Sequence, residues 1–233
     1  MNIEKIAFCD FDGTLSQGYI SMDFMDYLFK ENLYAKESYE KQMQYFKETK
    51  TGKLSYDAWC EKWGQEWANG LKGQDSNLIQ IKSSEFFHNF KQNIYDSSYG
   101  LMNYLKQKGY TLLLISAGAY EVVSLAALEL GMYKAYSTKN HIENNIYTGK
   151  LKTNIHLLGG KRKKIKNISD TKKIPLENCI AMGDSISDIE MLELVGIPIV
   201  LNPSLDLFDF TKEKKWTIFK HNNILEEIKK LLN

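Results

Sequence analysis

The chain opens with a short apolar run, Ile6-Ala7-Phe8-Cys9, that ends on Asp10 and leads into Asp12-Gly13-Thr14. A run this short, closed by Asp and Gly, predicts a buried strand entering a loop. From about Ser16 to Asp96 the pattern changes. Apolar and aromatic residues recur at helical spacing without β-branched runs: Met22, Met25, Leu28 and Phe29, then Tyr39, Met43 and Phe46, then Trp59, Trp63 and Trp67. The spacing predicts several amphipathic helices packed as a bundle, one of them capped by Ser55.

Beyond Tyr99 strands and helices alternate. A helix is expected over Leu101–Lys108, a strand over Tyr110–Ile115, a helix over Tyr120–Leu130 and a strand at Ala135–Ser137. Asn144-Asn145 and Gly149 suggest a hairpin within Ile142–Leu151. A basic helix starts near Gly160-Lys161 and stops before Pro175. It is followed by a strand at Cys179–Met182, a helix at Asp188–Val195, strands at Ile197–Leu201 and Trp216–Phe219, and a closing helix at Ile224–Leu232. Such alternation implies parallel βαβ units, so the expected fold is α/β: a Rossmann-like parallel sheet sandwiched by helices. Residues 1–15 and 97–233 form the core of this reading, and 16–96 a helical insertion.

In parallel sheets of this kind, ligands bind at the carboxyl ends of the strands. Asp10/Asp12, Ser116 and Asp184/Asp188 all fall at predicted strand ends. One ionised carboxylate can attack phosphorus. A second can protonate the leaving oxygen and later deprotonate water. A cation would offset the crowded negative charge. Asp10 and Asp12 supply such a pair, and Gly13 permits the turn that follows them. Thr14 offers a hydroxyl to a phosphate. Ser116, followed by Ala117-Gly118, reads either as part of a phosphate cradle or as a helix N-cap. Lys161 could neutralise a phosphate, with Arg162, Lys163, Lys164 and Lys166 as competing candidates. Asp184 and Asp188, one helical turn apart, are hard oxygen donors that suit Mg²⁺. Asp188 would either bind the ion or organise its waters.

The 233 residues carry a formal net charge of +1, which argues against nucleic acid as the dominant partner. No run approaches the ~20 apolar residues of a membrane span. The opening MNIEKIAF lacks the features of a signal peptide. Cys9, Cys60 and Cys179 make neither a zinc pattern nor a disulfide framework, and a cytoplasmic location is expected. Arg162 is the only arginine, so bidentate recognition of a substrate carboxylate is scarcely available.

In order and spacing, these clusters resemble the motifs of the haloacid dehalogenase superfamily. Asp10-Phe11-Asp12-Gly13-Thr14 matches the first motif, Ser116 the second, Lys161 the third, and Gly183-Asp184 with Asp188 the fourth. The layout is similar to the phosphoserine phosphatase-like subfamily, whose members carry a helical cap between the first two motifs. The resemblance implies Asp10 as nucleophile and Asp12 as general acid/base. It implies that Asp10, the Asp12 carbonyl and Asp184 hold Mg²⁺, with Asp188 beside them. Ser116, the Ala117 amide and Lys161 would hold the phosphate.

The activity implied is hydrolysis of a small phosphorylated metabolite by a monomer or homodimer. Alternatives are a phosphotransferase, phosphoserine phosphatase proper, and a catalytically silent phosphate-binding module. Tyr19, Asp23, Tyr56, Trp59 and Trp63 are candidates for substrate contact from the cap. Phosphoserine phosphatases place a glutamate shortly after the first motif and an arginine in the cap; this chain has Ser16-Gln17-Gly18-Tyr19-Ile20 at the former and no arginine in the latter.

Overall fold

The computed structural model describes residues 5–232. Met1–Glu4, which the reading above assigned to the core, and Asn233 lie outside the described residues. Six strands form one sheet: β1 (Ile6–Cys9), β2 (Thr111–Ala119), β3 (Lys134–Thr138), β6 (Ile180–Gly183), β7 (Ile197–Leu201) and β8 (Thr217–Phe219). Their order is β3-β2-β1-β6-β7-β8, and every neighbouring pair is parallel. The predicted hairpin is β4 (Asn140–Glu143) with β5 (Ile146–Leu151), a separate antiparallel pair. Its turn holds Asn144 and Asn145 at φ of 49° and 63°, which asparagine tolerates better than most residues.

The sheet is covered on both faces, which is why its strands read as unbroken apolar runs. In β1, Ala7 and Cys9 join one apolar cluster while Ile6 and Phe8 join the other. The second cluster is closed by Ile165 and Ile168 of α7 (Gly160–Lys172), Met191 and Leu192 of α8 (Ile189–Leu192), and Leu207 of α9 (Leu205–Lys214). The first lies under α5 (Asp96–Gln107), α6 (Tyr120–Glu129) and α10 (Ile224–Leu231), and it runs on into the inserted helices.

Those are α1 (Ile20–Lys30), α2 (Lys36–Lys50), α3 (Tyr56–Leu71) and α4 (Ser76–Phe90). Phe24 of α1 meets Phe86 of α4 at 5.2 Å and Trp67 of α3 at 5.9 Å between ring centres. The aromatic stripes are therefore packed, as expected. Ser55 does cap α3, accepting from the amide of Ala58. α2 is the peripheral member: of its stripe, Met43 is exposed, and only Ser38 and Gln42 of the helix are buried. The hairpin also grips the insertion by backbone bonds. The Ser76 amide donates to the Asn145 carbonyl at 2.7 Å and the Gly73 amide to the Tyr147 carbonyl at 2.9 Å.

Three helices differ from the expected pattern. α5 begins at Asp96, not Leu101, because polar Ser98 is buried and donates to the Leu15 carbonyl. The helix expected over Asp188–Val195 is a 3₁₀ turn, Ile186–Asp188, plus a single α-turn. α9 was not anticipated: in Leu205-Asp206-Leu207-Phe208-Asp209-Phe210 the two aspartates fall three apart but the apolar residues spread around the helix, and only Leu207 and Thr211 are buried.

Candidate active site

Strand order places the site. Chain order reverses between β1 and β6, and a crevice opens at the carboxyl ends of strands on either side of such a switch point. Asp10 follows β1 and Asp184 follows β6, so the two carboxylates face each other across it. Carboxylate oxygens of Asp10, Asp184 and Asp188 all come within 4.8 Å of one another. The Lys161 ammonium lies 2.6 Å from Asp10 Oδ1 and 2.6 Å from Asp188 Oδ1.

Each position has a local cause. β6 pairs with β1 through Met182, whose carbonyl accepts from the Asp10 amide at 2.9 Å. Gly13 turns away at φ +81°, and a Cβ there would sit 2.2 Å from Asp184 Oδ2. Glycine thus serves both the left-handed turn and the close approach of Asp184. Asp188 is fully buried. Its Oδ2 accepts from the amides of Asp184 and Ser185 and from the Ser185 hydroxyl, each at 3.1 Å. Lys161 is the second residue of α7, after Gly159 at φ +77°. Among its competitors, Arg162 pairs with Glu193 at 3.1 Å, Lys164 lies over Tyr136, and Lys163 and Lys166 are exposed. Only Lys161 of these lines the central cavity.

The electrostatics follow from burying three carboxylates around one ammonium. Burial pushes the Asp10 carboxyl up and the Asp188 charge adds to this, while Lys161 pulls it down. Burial raises Asp184 too, reinforced by Asp188 and Asp10. Burial alone would lower Lys161, but Asp10 and Asp188 overcome it and keep the ammonium charged. The donor set fits a hard divalent cation: all oxygen, clustered, and carrying more negative charge than one lysine offsets. Asp12 is distinct. Its Oδ1 accepts from the Ile20 amide at 2.8 Å, and burial pushes its carboxyl up to about 8, so it can carry a proton near neutrality.

Thr14 and Ser116 sit in different surroundings. Thr14 is fully buried, and its hydroxyl donates to Asp184 Oδ1 at 2.7 Å; it orients a carboxylate and does not face the cavity. Ser116 caps no helix. β2 runs on to Ala119, α6 starts at Tyr120, and Ser116 Oγ accepts from the Gly118 amide at 3.0 Å. Instead, the register with β3 breaks between Ile115 and Ala119, which presents Ser116, Ala117 and Gly118 to the cavity.

The cavity, about 240 Å³, is roofed by the insertion. Tyr19, Tyr56, Trp59 and Trp63 line it, whereas Asp23 is exposed and lies outside the lining. Tyr56 is 40% exposed as a residue, and it shares the cavity lining with Ser187 of the core. Cys60 also lines the cavity, but burial pushes its thiol up to about 11, so it offers no thiolate nucleophile near neutrality.

Ser21 and His156 went unnoticed in the sequence. Ser21 Oγ accepts from the Ala119 amide at 2.8 Å. The buried ring of His156 packs against Gly64 of α3, and its Nδ1 lies 3.3 Å from Thr138 Oγ1. Since Thr138 donates to the Ala117 carbonyl at 2.7 Å, that contact reads as Nδ1–H donating to Thr138. Burial lowers the imidazole pKa to about 4. No local pattern marks His156, which sits in a loop between a hairpin and a helix.

Known proteins share this architecture. A phosphoserine phosphatase of Mycobacterium tuberculosis is 27% identical over 143 residues, covering 61% of this chain and 46% of that protein. The chain thus spans about half the length of the curated relatives it matches. A Bordetella pertussis protein of unknown function superposes with a TM-score of 0.79 at 18% identity, over 94% of this chain and 99% of that one. A substrate-bound phosphoserine phosphatase gives 0.70 at 20% identity, over the whole of both chains. The family model for haloacid dehalogenase-like hydrolases matches residues 7–193, and the chain belongs to that family.

Proposed function

We propose that the protein is a Mg²⁺-dependent phosphatase that hydrolyses a small phosphomonoester through an aspartyl-phosphate on Asp10. The observation that carries this reading is the convergence of Asp10, Asp184, Asp188 and Lys161 at the sheet's switch point. Mg²⁺ would be held by Asp10, Asp184 and the Asp12 carbonyl, and when bound it offsets the negative charge of phosphate and carboxylates. Asp188, whose oxygens already take four donors, serves as the organiser of Lys161 and of the Asp184 backbone.

The chemistry has two steps. A carboxylate oxygen of Asp10 bonds to phosphorus as the bond to the leaving oxygen breaks, and Asp12 gives that oxygen its proton. Asp12 then takes a proton from water, the water oxygen bonds to phosphorus, and the acyl phosphate opens to free phosphate and the Asp10 carboxylate. Lys161, Ser116 and the Ala117 amide hold the phosphate meanwhile. Residues 16–96 act as the cap and the remainder as the catalytic core, with closure excluding water. No described helix is long and apolar enough to cross a membrane, and the proposed site of action is the cytoplasm.

The test is turnover of p-nitrophenyl phosphate with metal removed and returned. EDTA abolishes activity and Mg²⁺ restores it under this reading; turnover indifferent to metal contradicts it.

A further inference from the structure

The cavity's charged groups are all at one end. Asp10, Asp12, Asp184 and Lys161 supply them, and every one belongs to the proposed phosphate-transfer machinery. From the insertion the lining takes Tyr19, Tyr56, Trp59 and Trp63 with small neighbours, and no Asp, Glu, Lys or Arg; burial keeps the neighbouring His156 neutral.

The wall is built, not incidental. Tyr56, Trp59 and Trp63 lie at spacings of three and four on one face of α3. Trp59 is braced by Tyr56 at 5.6 Å and by Phe46 at 5.8 Å, and Phe46 meets Tyr19 edge-on at 6.1 Å. Lys50 lies over Tyr19 and Phe46 at 5.6 and 5.3 Å and outside the cavity lining. The chain's one arginine is tied to Glu193.

We propose that the leaving group is an uncharged alcohol with an apolar or aromatic body, seated against Tyr19, Tyr56, Trp59 and Trp63. This rests on the phosphatase reading above. An amino-acid ester such as phosphoserine would bury an ammonium and a carboxylate with no counter-charge at this end, and unpaired buried charges are costly. A primary amine fares no better. The volume, about 240 Å³, is below the ~300–1,000 Å³ of drug-sized pockets and suits a small alcohol.

The test compares kcat/KM of the wild-type protein for benzyl phosphate, phosphoserine, phosphoethanolamine and phosphocholine, with p-nitrophenyl phosphate as control. Benzyl phosphate is expected to exceed each charged ester by about a hundredfold, the discrimination a matched pocket supplies. Trp59→Ala should lower the benzyl-to-methyl phosphate ratio about tenfold, while Trp59→Phe keeps it. This ratio is insensitive to how much of a variant is folded. A charged ester turned over best, phosphocholine included, or a ratio unmoved by Trp59→Ala, overturns the proposal and leaves the phosphatase reading standing. No turnover of any ester, p-nitrophenyl phosphate included, defeats both.

Discussion

The Lys161 ammonium and the Asp10 carboxylate meet at 2.6 Å, though 151 residues separate them in the chain. Both side chains are buried, and the same nitrogen reaches Asp188 at 2.6 Å. One cation thus holds the end of β1, the start of α7 and the turn after β6 in a single cluster.

Removing that cation leaves two buried carboxylates facing each other. Lys161→Met should cost about 3–5 kcal/mol of folding stability, as broken buried ion pairs do, and should lower phosphatase turnover at least ~100-fold. Chemical denaturation and turnover of p-nitrophenyl phosphate measure the two effects. Lys161→Arg should fail to restore activity, because a planar guanidinium does not substitute for a point charge held between two oxygens.

Gly13 is constrained twice over, by φ +81° and by Asp184 Oδ2, 2.2 Å from where a Cβ would lie. Gly13→Ala should destabilise by about 1–2 kcal/mol from backbone strain alone. Displacing Asp184 should also raise the Mg²⁺ concentration needed for half-maximal activity about tenfold or more. A magnesium titration of the variant checks this. An unchanged midpoint would mean that Asp184 does not hold the ion.

His156 gives a pH-dependent term in stability. Its folded pKa, about 4, lies below the ordinary ~6.5, so between these values the unfolded chain binds more protons. Stability is therefore fully present above pH ~6.5 and is lost as pH falls toward 4. The His156 share lost between pH 7 and 5 is on the order of 2 kcal/mol. Wild type and His156→Gln, unfolded in denaturant at both pH values, should differ in slope in that sense. Equal pH dependence would show that the imidazole is not held neutral.

The sequence showed the carboxylates because their signals are local. An apolar run that stops on Asp with Gly close by describes a strand end without reference to the rest of the fold, and this holds for Asp10 and Asp184 alike. The α/β alternation was legible for the same reason. What escaped depends on tertiary packing. Thr14 looked available to a phosphate, yet the fold turns its hydroxyl onto Asp184. Ser116 read either as part of a phosphate cradle or as a helix cap, and only the fold, in which the strand continues and breaks register, removes the cap. Asp23 sits one residue beyond Met22 of the cavity wall, and the helical rotation carries it out to solvent. His156 approaches α3 only because Gly64 leaves room for its ring.

In the proposed chemistry phosphorus bonds to Asp10. Protein rapidly quenched in acid during turnover of a phosphomonoester with Mg²⁺, then reduced with borohydride and digested, tests it most directly. An acyl phosphate at position 10 would be reduced to homoserine and found by mass spectrometry in the Ile6–Asp12 segment, and Asp10→Asn protein would show neither turnover nor the modified residue. Turnover with the phosphoryl group on another residue, or Asp10→Asn protein as fast as wild type, would contradict the account.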